Sequence, residues 1–201
     1  MKEPTLLTPD NCQIIFIDHQ PQMAFGVQSI DRQTLKNNVA ALAKAAKLFN
    51  IPTTITSVET ESFSGYTYPE LLEVFPDKPI LERTSMNSWD DQKVRDALEA
   101  NGRKNVIVSG LWTGVCNNGF AFAAMDDGGY NLFMVADASG DVTLDAHNYS
   151  MDRMSQAGVV PMTTLQTLLE CRRDWAQRET YDGVMDIVRE HFGAYGMGVD
   201  Y

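Results

Sequence analysis

The cysteine at position 116 lies in a sequence context that could make it a nucleophile. A buried strand, a sharp turn over 109–114 and a helix that opens at Cys116 are predicted around it. The unpaired N–H groups and the dipole at a helix N-terminus favour the thiolate, which is the reactive form of cysteine. The alternative is a buried structural cysteine, because small thiols are common in protein cores.

Two charged residues stand at the ends of other predicted strands. Asp18 follows the apolar run IIFI, so its carboxylate is either a cap or a general base for the thiol proton. Arg83 ends a shorter run, PILER, and is either part of a surface ion pair or a fixed cation beside the thiol. In the second case its charge lowers the pKa of Cys116 and orients Asp18.

The elements that must position these residues alternate between strands and helices. Apolar runs predict strands over 12–18, 52–58, 79–83, 105–110, 132–138 and 158–162. Helical spacing of apolar residues predicts helices over 34–49, 90–101, 143–157, 163–179 and 181–192. This alternation favours an open, mostly parallel sheet in an α/β fold, where functional residues gather at the carboxyl ends of the strands.

Composition limits the classes of partner. The chain has 201 residues, 44% of them hydrophobic, which suits a single domain over 1–201. Its net charge of -11 and its lack of Lys/Arg runs make nucleic acid and membrane surfaces unexpected partners. Three widely spaced cysteines favour free thiols in the cytoplasm. Neither a zinc-type cluster nor a glycine-rich phosphate loop is present in the sequence, so we expect no metal and no cofactor.

Several segments together resemble the isochorismatase-like cysteine hydrolases, and most closely their YcaC-related branch. The matching segments are IFIDHQPQM around Asp18, SGLWTGVC ending at Cys116, the NSW tripeptide after Arg83, VADASGDV, AHNYSMDRMSQAGVVPMTTLQTLLE and RDW. The resemblance covers roughly residues 8–178. It implies a three-layer α/β/α, Rossmann-like fold with a six-stranded sheet in the order 3-2-1-4-5-6.

The same resemblance implies roles for individual residues. Cys116 corresponds to the nucleophile, Asp18 to the base, and Arg83 occupies the position of the family's lysine. The peptide bond between Leu111 and Trp112 corresponds to the family's cis peptide, and the backbone N–H groups of Trp112 and Cys116 to its oxyanion hole. Because arginine does not readily give up its proton, proton transfer would depend on Asp18 alone.

The chain departs from the family's pattern beside the cysteine. Gly114 and Asn117 in TGVCNN bear on substrate identity, and SVETESFSG lacks the histidine of a nicotinamidase metal site. Five residues could line a pocket large enough for an aromatic substrate: Met23, Phe25, Asn87, Trp89 and Trp112. Packing in the protein core explains each of them almost as well.

The sequence therefore predicts a metal-free cysteine hydrolase that cleaves a C–N bond of a small-molecule amide through a thioester. Two alternatives stay open: a non-catalytic ligand-binding or assembly protein on the same fold, and a thiol redox sensor. The resemblance also implies a homo-oligomer, with an octamer favoured. We expect the C-terminal helix and tail, 179–201, to contribute to its subunit contacts.

Overall fold

A six-stranded, fully parallel sheet forms the centre of the protein. The computed structural model describes residues 6–201. Its strands are β1 (Cys12–Ile17), β2 (Thr53–Val58), β3 (Ile80–Arg83), β4 (Asn105–Gly110), β5 (Asn131–Val135) and β6 (Val160–Met162). They pair in the order β3-β2-β1-β4-β5-β6, which confirms the predicted fold class and strand order.

Helices cover both faces of this sheet. They are α1 (Pro21–Phe25), α2 (Arg32–Leu48), α3 (Pro69–Val74), α4 (Gln92–Asn101), α5 (Asn118–Asp126), α6 (Leu144–Gln156), α7 (Thr164–Arg172), α8 (Tyr181–His191) and α9 (Gly193–Gly198). One apolar cluster joins the sheet to α2, α3, α7 and α8, and a second joins it to α4, α5 and α6. No helix within residues 6–201 is long and apolar enough to cross a membrane.

Strand β1 shows why its sequence is continuously apolar. Ile14 and Phe16 pack into the first cluster, whereas Ile15 and Ile17 pack into the second. Successive side chains of a strand point to opposite faces, so a central strand covered on both faces needs apolar residues throughout. The order reverses beside this strand, because β1 pairs with β2 on one side and with β4 on the other.

Three predicted boundaries were wrong. Strand β5 ends at Val135, and the chain continues as a 3-10 turn over Ala136–Ala138. Helix α7 ends at Arg172 rather than at 179, because Arg173 adopts a left-handed φ of 55°. The helix after β4 does not open at Cys116: a wide, π-helical turn over Thr113–Asn117 comes first, and α5 begins at Asn118.

The C-terminal segment packs on its own chain. Helix α8 buries Val184, Ile187 and Val188 in the first apolar cluster, and the Asn37 side chain of α2 donates to the His191 carbonyl at 2.9 Å. Met197 and Tyr201, beyond α8, are exposed. The expectation that 179–201 forms subunit contacts stays a prediction.

Candidate active site

A buried ion pair lies at the switch point of the sheet. Asp18 directly follows β1 and Arg83 ends β3, with β2 between them. The guanidinium donates from Nη1 to Oδ1 and from Nη2 to Oδ2, both at 2.6 Å. Because a two-point contact fixes the plane of the carboxylate, Arg83 orients Asp18 as well as balancing its charge. The surface ion pair considered from the sequence is thereby excluded, since both side chains are buried.

The backbone after β1 aims Asp18 at this point. Asp18 has a φ of 56°, in the left-handed region that few residues other than glycine, asparagine and aspartate adopt. Its N–H donates to the Thr56 carbonyl at 3.1 Å, and the Thr56 hydroxyl donates to Oδ1 at 3.0 Å. Neighbouring strand β2 therefore holds both the main chain and the side chain of Asp18.

Arg83 is itself held by main-chain carbonyls. Nη1 also donates to the Ser57 carbonyl at 3.0 Å, and Nη2 donates to the Met86 carbonyl at 3.2 Å. These bonds, together with those to Asp18, leave Nε as its one buried nitrogen without a partner in the described chain. An arginine held at this many points serves as a fixed cation.

Cys116 lies in the wide turn between β4 and α5 and is 3% exposed. The turn follows a cis peptide bond between Leu111 and Trp112, at the position that the resemblance implied. Across the turn, the N–H groups of Val115 and Asn117 donate to the Trp112 carbonyl at 3.1 and 3.3 Å.

The thiol of Cys116 is protonated near neutral pH. Burial raises the pKa of this thiol to about 12. The Asp18 carboxylate also raises it, through its negative charge and through a hydrogen bond that favours the protonated thiol. The positive charge of Arg83 and the backbone N–H of Trp112 lower this pKa, but they do not offset the larger effects. The expectation of a thiolate stabilised by a helix N-terminus was therefore wrong, because burial and Asp18 outweigh the cation.

The expected oxyanion donors come from this same turn. The Trp112 N–H lies beside the Cys116 sulfur, close enough to favour its negative charge. Trp112 is also fixed through its indole, whose Nε1–H donates to the Met23 carbonyl at 2.8 Å. A donor held beside the sulfur in a water-poor site can stabilise charge that develops on a bound carbonyl oxygen. The oxyanion roles of Trp112 and Cys116 stay predictions.

Two side chains that the sequence did not single out as site residues hold the turn from outside. Asp141 Oδ2 accepts from the Gly114 N–H at 2.6 Å, and His147 Nδ1 lies 2.8 Å from the Thr113 hydroxyl. Asp141 belongs to VADASGDV and His147 to AHNYSMDR, two segments that carried the family resemblance without an assigned role. Their presence in those segments was the one sequence signal that could have pointed to a role beside Cys116.

The two departures beside the cysteine have structural explanations. A Cβ on Gly114 would lie 2.8 Å from Ser150 Oγ and 3.0 Å from Asp141 Oδ2. The turn therefore has little space for any residue other than glycine at this position. The Asn117 amide nitrogen donates to the Gly110 carbonyl at 3.0 Å and ties the turn to the end of β4.

Of the expected pocket residues, Trp89 and Asn87 contribute to packing and capping. Trp89 lies edge-on to Phe120 and Tyr130, and its indole N–H donates to Asp127 at 3.2 Å. Asn87 Oδ1 accepts from the Trp89 N–H at 3.0 Å. This arrangement matches the core-packing alternative for Trp89.

Met23 and Phe25, on the short helix α1, differ in exposure. Met23 is buried, and its sulfur accepts from the Ser64 hydroxyl at 4.0 Å. Phe25 is 67% exposed and lines a shallow groove with Tyr68 and Pro69. Substrate contact by these four residues, or by Trp112 as the fifth expected pocket residue, stays a prediction.

No group of three or more metal-ligating side chains occurs among residues 6–201. His19 is buried, with Nε2 3.1 Å from the Ser109 hydroxyl, and burial lowers its pKa to about 4. His19 is therefore neutral near pH 7.

The fold and this constellation define the class of protein. Residues 12–166 match the isochorismatase domain, and the chain belongs to the isochorismatase family. Within that family it is 34% identical over 190 residues to the Escherichia coli K12 protein named "Probable hydrolase YcaC", covering 94% of this chain and 90% of that one. The chain is thus an isochorismatase-family hydrolase of the YcaC-related branch.

Two solved structures agree with this placement. The E. coli YcaC structure, described as an octameric hydrolase of unknown specificity, has a TM-score of 0.94 and 33% identity, covering 100% of this chain and 97% of that one. YcaC from Pseudomonas aeruginosa, solved with hexane-2,5-diol and covalent acrylamide, has a TM-score of 0.94 and 31% identity, covering 100% and 98%.

Proposed function

We propose that this protein hydrolyses a C–N bond of a small-molecule amide through a thioester on Cys116. The observation that carries the proposal is the position of Cys116. The Asp18 carboxylate, which Arg83 orients, and the Trp112 N–H both act on its buried, protonated thiol. A nucleophile, a base and a charge-stabilising donor are thus available for attack on a carbonyl carbon.

The protonation state of Cys116 defines the first step. A thiol whose pKa is about 12 needs a base at the moment of attack, because the thiolate is the nucleophile. Asp18 takes the thiol proton while the sulfur bonds to the carbonyl carbon. The carbonyl π electrons move to oxygen, and the N–H groups of Trp112 and Cys116 stabilise that oxyanion.

The remaining steps return every group to its starting state. Asp18 gives its proton to the amide nitrogen, the C–N bond breaks, and an amine or ammonia leaves with the acyl group on Cys116. Asp18 then takes a proton from water while the hydroxyl adds to the thioester carbonyl. The C–S bond breaks as Asp18 returns that proton to the sulfur, which gives the acid, the Cys116 thiol and the Asp18 carboxylate. Arg83 exchanges no proton and keeps Asp18 in place.

The reaction in this form needs no metal and no cofactor. We also propose a small-molecule substrate, a cytoplasmic location, no nucleic-acid or membrane partner, and a homo-oligomer for which the octameric E. coli YcaC favours an octamer. The covalent acrylamide in the P. aeruginosa structure is consistent with a reactive nucleophile in that relative. Acrylamide itself carries a primary amide, the group that we expect the site to accept.

A panel of primary amides and N-carbamoyl compounds tests the proposal. We expect ammonia release from at least one member with the wild-type protein and none above background with Cys116→Ala. Circular dichroism and sedimentation of both proteins check that the variant keeps the fold and the assembly. A panel on which the wild type is inactive, or on which Cys116→Ala is equally active, would overturn the proposed function.

A further inference from the structure

A small cavity lies at the outer edge of the sheet, beside the end strand β3. Its volume is about 360 Å³, near the lower end of the roughly 300–1,000 Å³ that is typical of small-molecule sites. Ile80 and Glu82 line it from β3, Leu72 lines it from α3, and the remaining lining residues belong to β2 or to the segment after it. A small ligand here would contact several segments of the chain.

The cavity and the Asp18–Arg83 pair lie on opposite faces of the sheet. Ser57 pairs with Glu82 across β2 and β3, and Val58 pairs with Arg83. Because successive side chains of a strand point to opposite faces, the Glu82 side chain points away from Arg83. The cavity is therefore separate from the candidate active site.

Two carboxylates, those of Glu61 and Glu82, give the cavity a negative charge. No lysine, arginine or histidine lines it within the described chain, and neither carboxylate forms an ion pair among residues 6–201. Lys93 Nζ donates to the main-chain carbonyl of Glu82 at 2.9 Å, and its ammonium pairs with the Asp91 carboxylate. The charge of the cavity thus favours a cationic ligand.

Neutral donors hold the Glu82 carboxylate in place. Its Oε2 accepts from the Ser57 hydroxyl at 2.6 Å and from the Thr60 hydroxyl, and its Oε1 accepts from the Thr60 N–H at 2.8 Å. Burial acts to raise the pKa of Glu82, but these hydrogen bonds and the charge of Arg83 outweigh it and lower that pKa. Since a carboxylate has about four acceptor positions, one remains for a ligand.

A buried hydroxyl in the same cavity lacks a hydrogen-bond partner. Thr67 lines the cavity and is 5% exposed, yet its Oγ1 makes no hydrogen bond to any residue of the described chain. Buried polar groups normally have a partner, because leaving one unpaired costs stability. This hydroxyl points to a ligand independently of the two carboxylates.

We propose that this cavity binds a small organic cation, a primary ammonium that carries a short hydrocarbon chain. The ammonium donates to Glu82 and Thr67, Glu61 adds negative charge, and the hydrocarbon chain packs on Leu72 and Ile80. A metal ion is disfavoured, because no group of three or more metal-ligating side chains occurs in the part of the chain that the structure describes.

Isothermal titration calorimetry of the full-length protein with n-butylammonium chloride tests the proposal. We expect saturable binding of one n-butylammonium per chain, which weakens as the salt concentration rises. We expect no binding of 1-butanol or butyrate at the same concentrations, because neither carries a positive charge. The absence of saturable n-butylammonium binding, or equal affinity for 1-butanol, would overturn the proposal.

A pair of charge variants locates the binding. Glu82→Gln should weaken n-butylammonium binding about tenfold, because a charge-assisted hydrogen bond is lost. Glu73→Gln is the matched control: it makes the same charge change on α3, does not line the cavity and should bind like the wild type. An equal loss of affinity in both would indicate only a general attraction of cations to an acidic protein, against the proposal.

Thr67→Val tests the buried contact without changing the charge. We expect the affinity to fall about threefold while stability in urea does not fall, since the hydroxyl has no partner to lose. Full affinity in this variant would contradict the site. Glu61→Gln, at an exposed side chain, decides the question if Glu82→Gln does not fold: binding about twofold to threefold weaker supports the proposal, and unchanged binding overturns it. None of these results depends on the amide hydrolysis proposed for Cys116.

Discussion

Arg83 and Asp18 form a two-point contact, with both guanidinium–carboxylate distances at 2.6 Å, inside a protein core where neither side chain exceeds 1% exposure. Removing one partner of a buried pair leaves an uncompensated charge, which typically costs about 3–5 kcal/mol of stability. The pair is therefore structural as well as chemical, and its variants must be judged by readouts other than activity alone.

Arg83→Ala is expected to raise the pKa of the Cys116 thiol further, because the arginine charge now lowers it. Alkylation of Cys116 by iodoacetamide should become slower at every pH below that pKa. Arg83→Lys is the matched control: it keeps the charge, restores the family's residue and should retain measurable hydrolysis. Identical alkylation curves for wild type and Arg83→Ala would show that Arg83 does not influence the thiol.

Asp18→Asn is expected to separate thiol acidity from catalysis. The Asp18 charge raises the pKa of Cys116, so its removal should lower that pKa and speed alkylation near neutral pH. Hydrolysis should nevertheless fall by about 10²-fold or more, because the base that takes the thiol proton is lost. Slower alkylation together with full hydrolysis would be incompatible with Asp18 as the base.

The Asp18–Arg83 proximity could be expected from the sequence, whereas the protonation of Cys116 could not. Apolar runs such as CQIIFI located the strands, and parallel pairing then places the residues that follow them at one edge. The pKa of Cys116 depends on how completely the turn is buried and on its contact with Asp18, both of which are tertiary. Helix α1 and helix α3 escaped prediction because five or six residues give too little periodicity.

Gly114→Ala is expected to disturb the cysteine turn. The added methyl would lie 2.8 Å from Ser150 Oγ and 3.0 Å from Asp141 Oδ2, and relieving that overlap should cost about 1–3 kcal/mol. Gly119→Ala in α5 is the control, since its nearest atom, Asn87 Cβ, is at an ordinary 3.5 Å. Urea unfolding compares the two. Equal stabilities would mean that Asp141 and Ser150 do not constrain Gly114.

His19 should make stability fall as the solution is acidified. Burial lowers the pKa of His19 from 6.5 to about 4. Between pH 6.5 and pH 4, the unfolded chain therefore carries a proton on His19 that the folded chain lacks. Stability therefore falls as pH drops through this window, by about 2 kcal/mol between pH 7 and pH 5 for this group alone. His19→Gln, which cannot titrate, should show a correspondingly shallower dependence in urea unfolding. The same pH slope in both proteins would indicate that His19 does not contribute.

The covalent intermediate is tested most directly by the intact mass of the protein during turnover of an amide on which it releases ammonia. The proposed mechanism predicts a transient mass increase equal to the acyl group less one hydrogen, mapped to the peptide that contains Cys116 and discharged by hydroxylamine. Cys116→Ala should show no adduct and lose about 10⁴-fold or more in kcat. Turnover by Cys116→Ala at a rate near that of wild type, or an acyl group on any other residue, would contradict the account.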